Sequence, residues 1–260
     1  MRPVLWYPFE RCQQDSQPIN NPMQYAAHIK AIQQKTPRVK LFTLDYGAQD
    51  FDFYPGQWVD IHLSIDDETH TCGYSITAIP SSSHTIEVAV KLAPELKLTV
   101  YLHNSSKAGD KVFISKAQGD VYLTKAITGP YVFIAGGVGI TPLYSMIQHI
   151  QINKPQTPVT LIYSISAPEE FLFEKELRSL EKTNPDFRCI VTVSRSAQHQ
   201  EKFSGRINAA MLRAINLPAN ANYYLCGPPP MVDNVVNVLQ ELRGKLGINE
   251  DHIHYDKWWA

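Results

Sequence analysis

The chain has 260 residues, of which 44% are hydrophobic and 19% charged, a composition that builds a packed core and argues against disorder. Its 24 Lys and Arg against 25 Asp and Glu give a net charge of −1, so nucleic-acid binding through a basic surface is excluded. The length favours two domains of ordinary size over one large one.

The first residues carry Pro3, Pro8, Pro18 and Pro22 and read as an irregular N-terminal arm over residues 1–24. Their one apolar stretch, Val4 to Phe9, is short and holds Pro8, which makes a poor signal-peptide core. No window approaches the ~18 uninterrupted apolar residues of a membrane span. A soluble, cytoplasmic protein is expected, or one of the mitochondrial matrix if the source is eukaryotic and the chain is processed. Cys12, Cys72, Cys189 and Cys226 are widely spread and form neither a CxxC nor a Cys/His ligand pair. No metal site is therefore expected, and at this length no disulfide framework either, which suits a reducing compartment.

From about Ala26 to Leu123 the chain alternates like short strands: Val39–Leu44, Trp58–Leu63, Tyr74–Ile79, Ile86–Leu92 and Lys111–Ile114. Turn signals at Pro55-Gly56, Pro80-Ser81-Ser82 and Gly109-Asp110 separate them, and one short helix is predicted near Leu96–His103. Regularly spaced short strands predict an antiparallel barrel over residues 25–125.

After Gly129-Pro130 the pattern changes. Tyr131–Ala135, Val159–Tyr163, Cys189–Val193 and Tyr223–Cys226 are apolar runs of the kind buried on both faces of a parallel sheet, with helical segments between them. The last helix is the clearest, because Met231, Val235, Val238, Leu239, Leu242 and Leu246 form one apolar stripe. A doubly wound α/β domain is predicted over residues 128–260.

Gly136-Gly137-Val138-Gly139-Ile140-Thr141-Pro142 follows the first of these strands and opens a helix. Glycines let a ligand approach the backbone, Thr141 is placed to cap the helix, and Pro142 suits its first turn. A helix N-terminus at a strand's C-terminal end suits a dinucleotide pyrophosphate. The spacing is not G-x-G-x-x-G, and a structural glycine turn is the alternative reading of the motif alone.

Taken together, these segments resemble the ferredoxin–NADP reductase superfamily, which joins a six-stranded flavin-binding barrel to a pyridine-nucleotide domain. Pro55-Gly56-Gln57 resembles its P-G-Q turn, and Cys72-Gly73-Tyr74-Ser75 stands where the flavin motif R-x-Y-S/T belongs. The glycine turn resembles that of the nucleotide domain, Glu170 to Leu177 its D-x-x-x-x-x-E-L helix, and Cys226-Gly227-Pro228-Pro229-Pro230-Met231 its C-G-x-x-x-M. The ending Asp256-Lys257-Trp258-Trp259 and the missing arginine resemble a subgroup that shares both features.

The resemblance implies FAD as cofactor and NADPH or NADH as electron donor. It places Tyr74 against the flavin ring and the Ser75 hydroxyl at flavin N5. Cys226 would stand beside nicotinamide C4, Asp256 near N5 as proton relay or charge balance, and Trp258 over the ring. Cys72 replaces the arginine of the flavin pyrophosphate, and a thiol does not replace a guanidinium. Lys91 and Lys97 are candidates for the missing charge, or surface lysines, and Thr99 aligns with the residue that caps the short helix against the phosphates.

For the nucleotide, Gly136, Gly137, Gly139, Thr141, Cys226, Gly227 and Met231 are implied. Ser194 and Arg195, after the third buried strand, are implied at the 2′-phosphate, which tilts towards NADPH; Arg195 as a surface arginine is the alternative. The expected activity is a flavin-dependent NAD(P)H reductase feeding a separate acceptor, a small redox protein or small molecule. A non-catalytic regulatory or assembly subunit, and a reductase using free flavin, are the rivals.

Overall fold

The computed structural model describes residues 12–15, 24–81, 83–124, 126–195, 201–218, 220–248 and 250–257. Its N-terminal half contains β1 (Cys12–Asp15), β2 (Gln24–Thr36), β3 (Val39–Asp45), β4 (Trp58–Ile65), β5 (Glu68–Ser75), β6 (Thr85–Lys91), α1 (Lys97–Asn104) and β7 (Lys111–Ser115). The strands pair antiparallel in the order β1-β5-β4-β7-β2-β3-β6, and a bridge between Ile76 and Val88 brings the chain after β5 back to β6. Alternation explains the inward face: Val59, Ile61, Leu63 and Ile65 of β4 are all buried, as are Ile86, Val88 and Val90 of β6. Six of these strands are the predicted barrel.

Two differences from expectation matter. The predicted strand at Tyr74–Ile79 is displaced: β5 ends at Ser75 and forms a tight hairpin with β4 through Asp66 and Asp67, both at positive φ. That turn lacks the glycine that usually marks such hairpins. The second difference is β1, because part of the arm expected to be irregular adds a seventh strand to the edge of β5. Its register sets Cys12 opposite Cys72 with Cα atoms 4.1 Å apart, and the two form a disulfide across a sequence separation of 60. This corrects the expectation of four reduced cysteines. The strand pairing creates the proximity, which sequence spacing does not display.

The C-terminal half runs β8 (Tyr131–Gly136), α2 (Ile140–Asn153), β9 (Val159–Ile165), α3 (Glu174–Thr183), β10 (Phe187–Val193), β11 (Phe203–Ser204), α4 (Ala209–Ala214), β12 (Asn222–Gly227), α5 (Pro229–Leu246) and β13 (Ile253–Lys257). All six strands are parallel in the order β11-β10-β9-β8-β12-β13. Every residue of β8 is buried, as a central strand covered on both faces requires. One core gathers Leu143, Met146 and Ile147 of α2 with Leu177 of α3; the other gathers Met211 of α4 with Val232, Val235 and Leu239 of α5. The helix expected from Glu170 starts later, at Glu174, after Phe173 in the left-handed conformation.

Side chains tie the halves together. Ser145 and Gln148 of α2 donate to the carbonyls of Ala78 and Thr77, just beyond β5, at 2.6 and 2.8 Å. Lys35 of β2 donates to Glu176 of α3 at 2.5 Å. The end of the predicted flavin strand therefore abuts the nucleotide domain.

Candidate functional site

The glycine turn lies between β8 and α2, beside the C-terminal end of β12, where the chain order in the sheet reverses. Open α/β sheets bind ligands at such a reversal. Gly137 has φ 53°, a left-handed conformation that glycine adopts without strain, and its carbonyl accepts the Tyr163 hydroxyl at 2.9 Å. A β-carbon on Gly136 would meet Met231 Sδ at 2.6 Å and Pro228 Cδ at 3.0 Å, so the turn and the start of α5 fit only without one. Gly139 is closed in the same way by the Cys226 carbonyl. Thr141 does not act as the helix cap expected of it. The N-cap is Gly139 without a side-chain bond, and the buried Thr141 hydroxyl donates to the Val138 carbonyl at 2.8 Å.

A cleft of about 1200 Å³ opens over this turn. Gly136, Gly137, Ser194, Arg195 and Met231, all predicted, line it together. Ser194 is held by its backbone N–H and its hydroxyl, both donating to the Ile165 carbonyl, and the Arg195 N–H donates to Ser166. Arg38, Arg206, Asn208 and Asn234 also line the cleft and were not anticipated. They sit alone in turns and helices without periodicity; the one local signal is Gly205 at φ 86°, which marks a sharp turn just before Arg206. Lys91, anticipated at the flavin phosphates, opens into this cleft. Burial and the nearby Arg38 push its ammonium below the usual lysine range, with Arg195 adding and Glu170 opposing.

Parallel pairing of β12 with β13 makes Cys226 and Asp256 register partners, so two residues 30 positions apart stand side by side at the end of the sheet. Cys226 is buried. Cys189 is also buried, and its thiol is pushed up to about 12, which keeps it protonated as a core residue.

On the barrel side, Ser75 is buried at the last position of β5. The Tyr74 hydroxyl is buried without a protein hydrogen-bond partner, and burial raises its pKa. A buried orphan hydroxyl on the strand that the resemblance sets against the isoalloxazine ring fits a bound flavin, whose polar groups would supply a partner.

The phosphate end departs from the family pattern. A cavity of about 300 Å³ between β5 and the start of α1 is lined by Cys72, His70, Glu68, Glu95 and Lys97, among others. His70 Nε2 is buried without a hydrogen bond, 3.8 Å from the Glu68 carboxylate, and Lys97 lies 2.7 Å from Asp66. The Thr99 hydroxyl is engaged inside its own loop, accepting from the Ala93 N–H and donating to the Ala93 carbonyl at 2.7 Å. The residues thus suit FAD at the ring, whereas at the phosphate end Lys97 is already paired with Asp66. Trp258 lies outside the described residues.

Comparison with known proteins agrees with this geometry. Residues 27–122 match the model of the oxidoreductase FAD-binding domain, and residues 133–237 that of the oxidoreductase NAD-binding domain. "Oxidoreductase NAD-binding domain-containing protein 1" of Danio rerio is 31% identical over 256 residues, covering 90% of this chain and 92% of that protein. The reductase component of propane 2-monooxygenase from Mycolicibacterium smegmatis is 28% identical over 88% of this chain, which spans 66% of that relative's length. The crystal structure of the flavohem-like FAD/NAD-binding domain of nitric oxide dioxygenase from Vibrio cholerae superposes with a TM-score of 0.80 at 25% identity, covering 90% of this chain and 98% of that one. With a flavin-type barrel, a glycine turn at the sheet's reversal point and this relative aligned nearly end to end, the chain belongs to the ferredoxin–NADP reductase-like oxidoreductases, in the family of oxidoreductase NAD-binding domain-containing protein 1.

Proposed function

We propose that the chain is a flavin-dependent NAD(P)H reductase that passes electrons to a separate acceptor. The observation that carries this reading is the meeting of two half-sites. The cation-lined cleft lies over the glycine turn, whose Gly139 abuts the Cys226 backbone beside Asp256, and the segment just after Tyr74 and Ser75 of β5 is bonded to α2.

FAD supplies the hydride-accepting chemistry when bound. The chain's own residues orient and select. Tyr74 presents a half-buried ring to the flavin face and a hydroxyl in need of a partner. Ser75 offers a hydroxyl that donates or accepts at N5. Cys226 is small and buried at the C-terminal end of β12, where the nicotinamide would lie, and Asp256 stands beside it in the register of the sheet. The glycine turn and the helix N-terminus of α2 receive the dinucleotide phosphates.

The acceptor belongs to another molecule in this reading, since relatives such as the propane 2-monooxygenase reductase are named as components of larger systems. Among the described residues no helix is long and apolar enough to cross a membrane.

An anaerobic titration tests the proposal. Purified chain, supplied with FAD, should show a flavin band near 450 nm that bleaches on adding NADPH or NADH. A second reading, a regulatory subunit that no longer holds flavin, is favoured by Cys72 in a disulfide and by the engaged Thr99 hydroxyl. Protein that takes up no added FAD and oxidises neither NADPH nor NADH with FAD present would support that reading and defeat the first.

A further inference from the structure

Strand β1 lies at the end of the barrel's sheet order, hydrogen-bonded to β5 alone. Its pairing runs from Asp15 opposite Thr69 to Cys12 opposite Cys72, just short of Tyr74 and Ser75. Four residues of edge pairing near a chain terminus hold poorly unless something ties them down. Here the tie is covalent, the bond between Cys12 and Cys72.

The tied strand walls the cavity between β5 and α1, which Cys12 and Cys72 line on one side and Leu96 and Lys97 on the other. At about 300 Å³ the cavity is at the lower limit of small-ligand sites, against about 1200 Å³ for the cleft over the glycine turn. An anion entering it meets the carboxylates of Glu68 and Glu95, and a Lys97 held 2.7 Å from Asp66.

The same cavity nevertheless holds groups that suit an anion. His70 is only 8% exposed, and its Nε2 has no hydrogen-bond partner. The first turn of α1 lines the space without a side-chain cap, and the leading N–H groups of a helix have no partner within it. Lifting β1 away would add the alternate N–H groups of β5 between residues 69 and 72 that bond to it. The cavity therefore combines donors with a cover that keeps a diphosphate from reaching them.

We propose that the Cys12–Cys72 bond is a thiol-responsive latch on the flavin site. Closed, it holds β1 across the end of the site that would take the FAD phosphates; opened by a dithiol, it releases β1 and admits them. The proposal rests on the flavin reading of Tyr74 and Ser75, and the test separates the two.

The opening step is thiol–disulfide exchange. A thiolate of the dithiol attacks the sulfur of Cys12, the more exposed of the two cysteines, and Cys72 leaves as a thiolate that takes up a proton. The second thiol of the reagent then displaces Cys12 from the mixed disulfide. Two electrons and two protons pass to the cysteines, and the dithiol departs as its own disulfide.

The full chain is prepared oxidised, and reduced with dithiothreitol, and each form is titrated with FAD and with riboflavin by fluorescence quenching. Cys189 and Cys226 are already thiols, so the reagent acts at this bond alone. Riboflavin has the ring without phosphates and reports on the ring end of the site. Oxidised chain should bind the two flavins about equally. Reduction should tighten FAD binding at least about tenfold, the worth of one charge-assisted hydrogen bond, and leave riboflavin within about twofold. Cys12→Ser should bind FAD as the reduced chain does and ignore dithiothreitol, with thermal melts checking that it is folded. Amide hydrogen exchange over residues 69–72 of wild type, which needs no variant, should quicken on reduction.

Equal FAD affinity in the two redox forms would overturn the latch, as would a change shared by riboflavin or unaltered exchange over residues 69–72. In each of those cases bound flavin would leave the flavin reading standing. If neither form binds either flavin, that reading falls and the latch with it.

Discussion

The carbonyl of Cys226 fills the space that a β-carbon on Gly139 would need, so the glycine turn and the strand carrying the predicted nicotinamide cysteine are in backbone contact. Gly139→Ala forces that contact apart. It should cost about 1–3 kcal/mol of stability by overpacking and weaken 2′,5′-ADP binding at the same time. Gly137→Ala meets open space and suffers only its left-handed φ, for about 1 kcal/mol. Chemical denaturation of the two variants measures the difference, and equal costs would refute this account of the turn.

Tyr74→Phe should act in opposite directions on the two forms of the protein. Without flavin it removes a buried hydroxyl that has no protein partner, so stability should hold or rise. With flavin it removes a hydrogen bond, and FAD affinity should fall about two- to tenfold. Thermal melts and fluorescence quenching titrations read the two effects. Unchanged FAD affinity would remove Tyr74 from the flavin site.

The Cys12–Cys72 disulfide should be chemically detectable. Alkylation in denaturant without reductant should label Cys189 and Cys226 and spare the other two; labelling of all four would refute the bond. Closing a loop of 60 residues, it should contribute about 2–4 kcal/mol, lost in Cys12→Ser or on reduction.

Acid should destabilise the fold through buried histidines. His103 is buried in α1 with Nε2 at 2.9 Å from the Val90 carbonyl. Burial pushes its pKa below the ordinary 6.5, the Lys40 charge adds to this, and the bond to Val90 opposes it. His62, His149 and His254 shift the same way, also chiefly through burial. Below about pH 6.5 the unfolded chain takes up protons that the folded chain refuses, so stability falls as pH drops through that value and is untouched above it. Melting temperatures at about pH 8 and pH 5 should differ more in wild type than in His103→Gln. Equal differences would show that His103 does not contribute.

Much of the fold was readable from local pattern. Alternation in β3, β4 and β6 and the uninterrupted apolar run of β8 reported a half-buried and a fully buried strand respectively, because side-chain period follows directly from what each face touches. β5 was misplaced because its hairpin turns on Asp66 and Asp67, which hold positive φ without glycine. β1 was missed because its four residues carry no alternation of apolar side chains; only pairing with β5 makes it a strand.

The site divides along the same line. Gly136, Gly137, Ser194, Arg195 and Met231 were legible because motif residues cluster at strand ends, and a parallel sheet aligns those ends. Arg38 was not, and Lys91 was read towards the flavin phosphates, since a turn and a strand end of one domain reach the other's cleft only through the docking held by Ser145, Gln148 and Lys35.

Composition and charge had indicated from the start that a chain of 260 residues with a net charge of −1 binds phosphate, if at all, through local turns and a few basic side chains. That much, with the two-domain division and the order of motifs, was determined by sequence alone, because periodicity and turn chemistry are short-range. Only the tertiary structure joined Cys12 to Cys72, set Cys226 beside Asp256 and gathered four cations around one cleft. Each of these depends on strand register and domain docking, which bring residues together across sequence separations that no local pattern records.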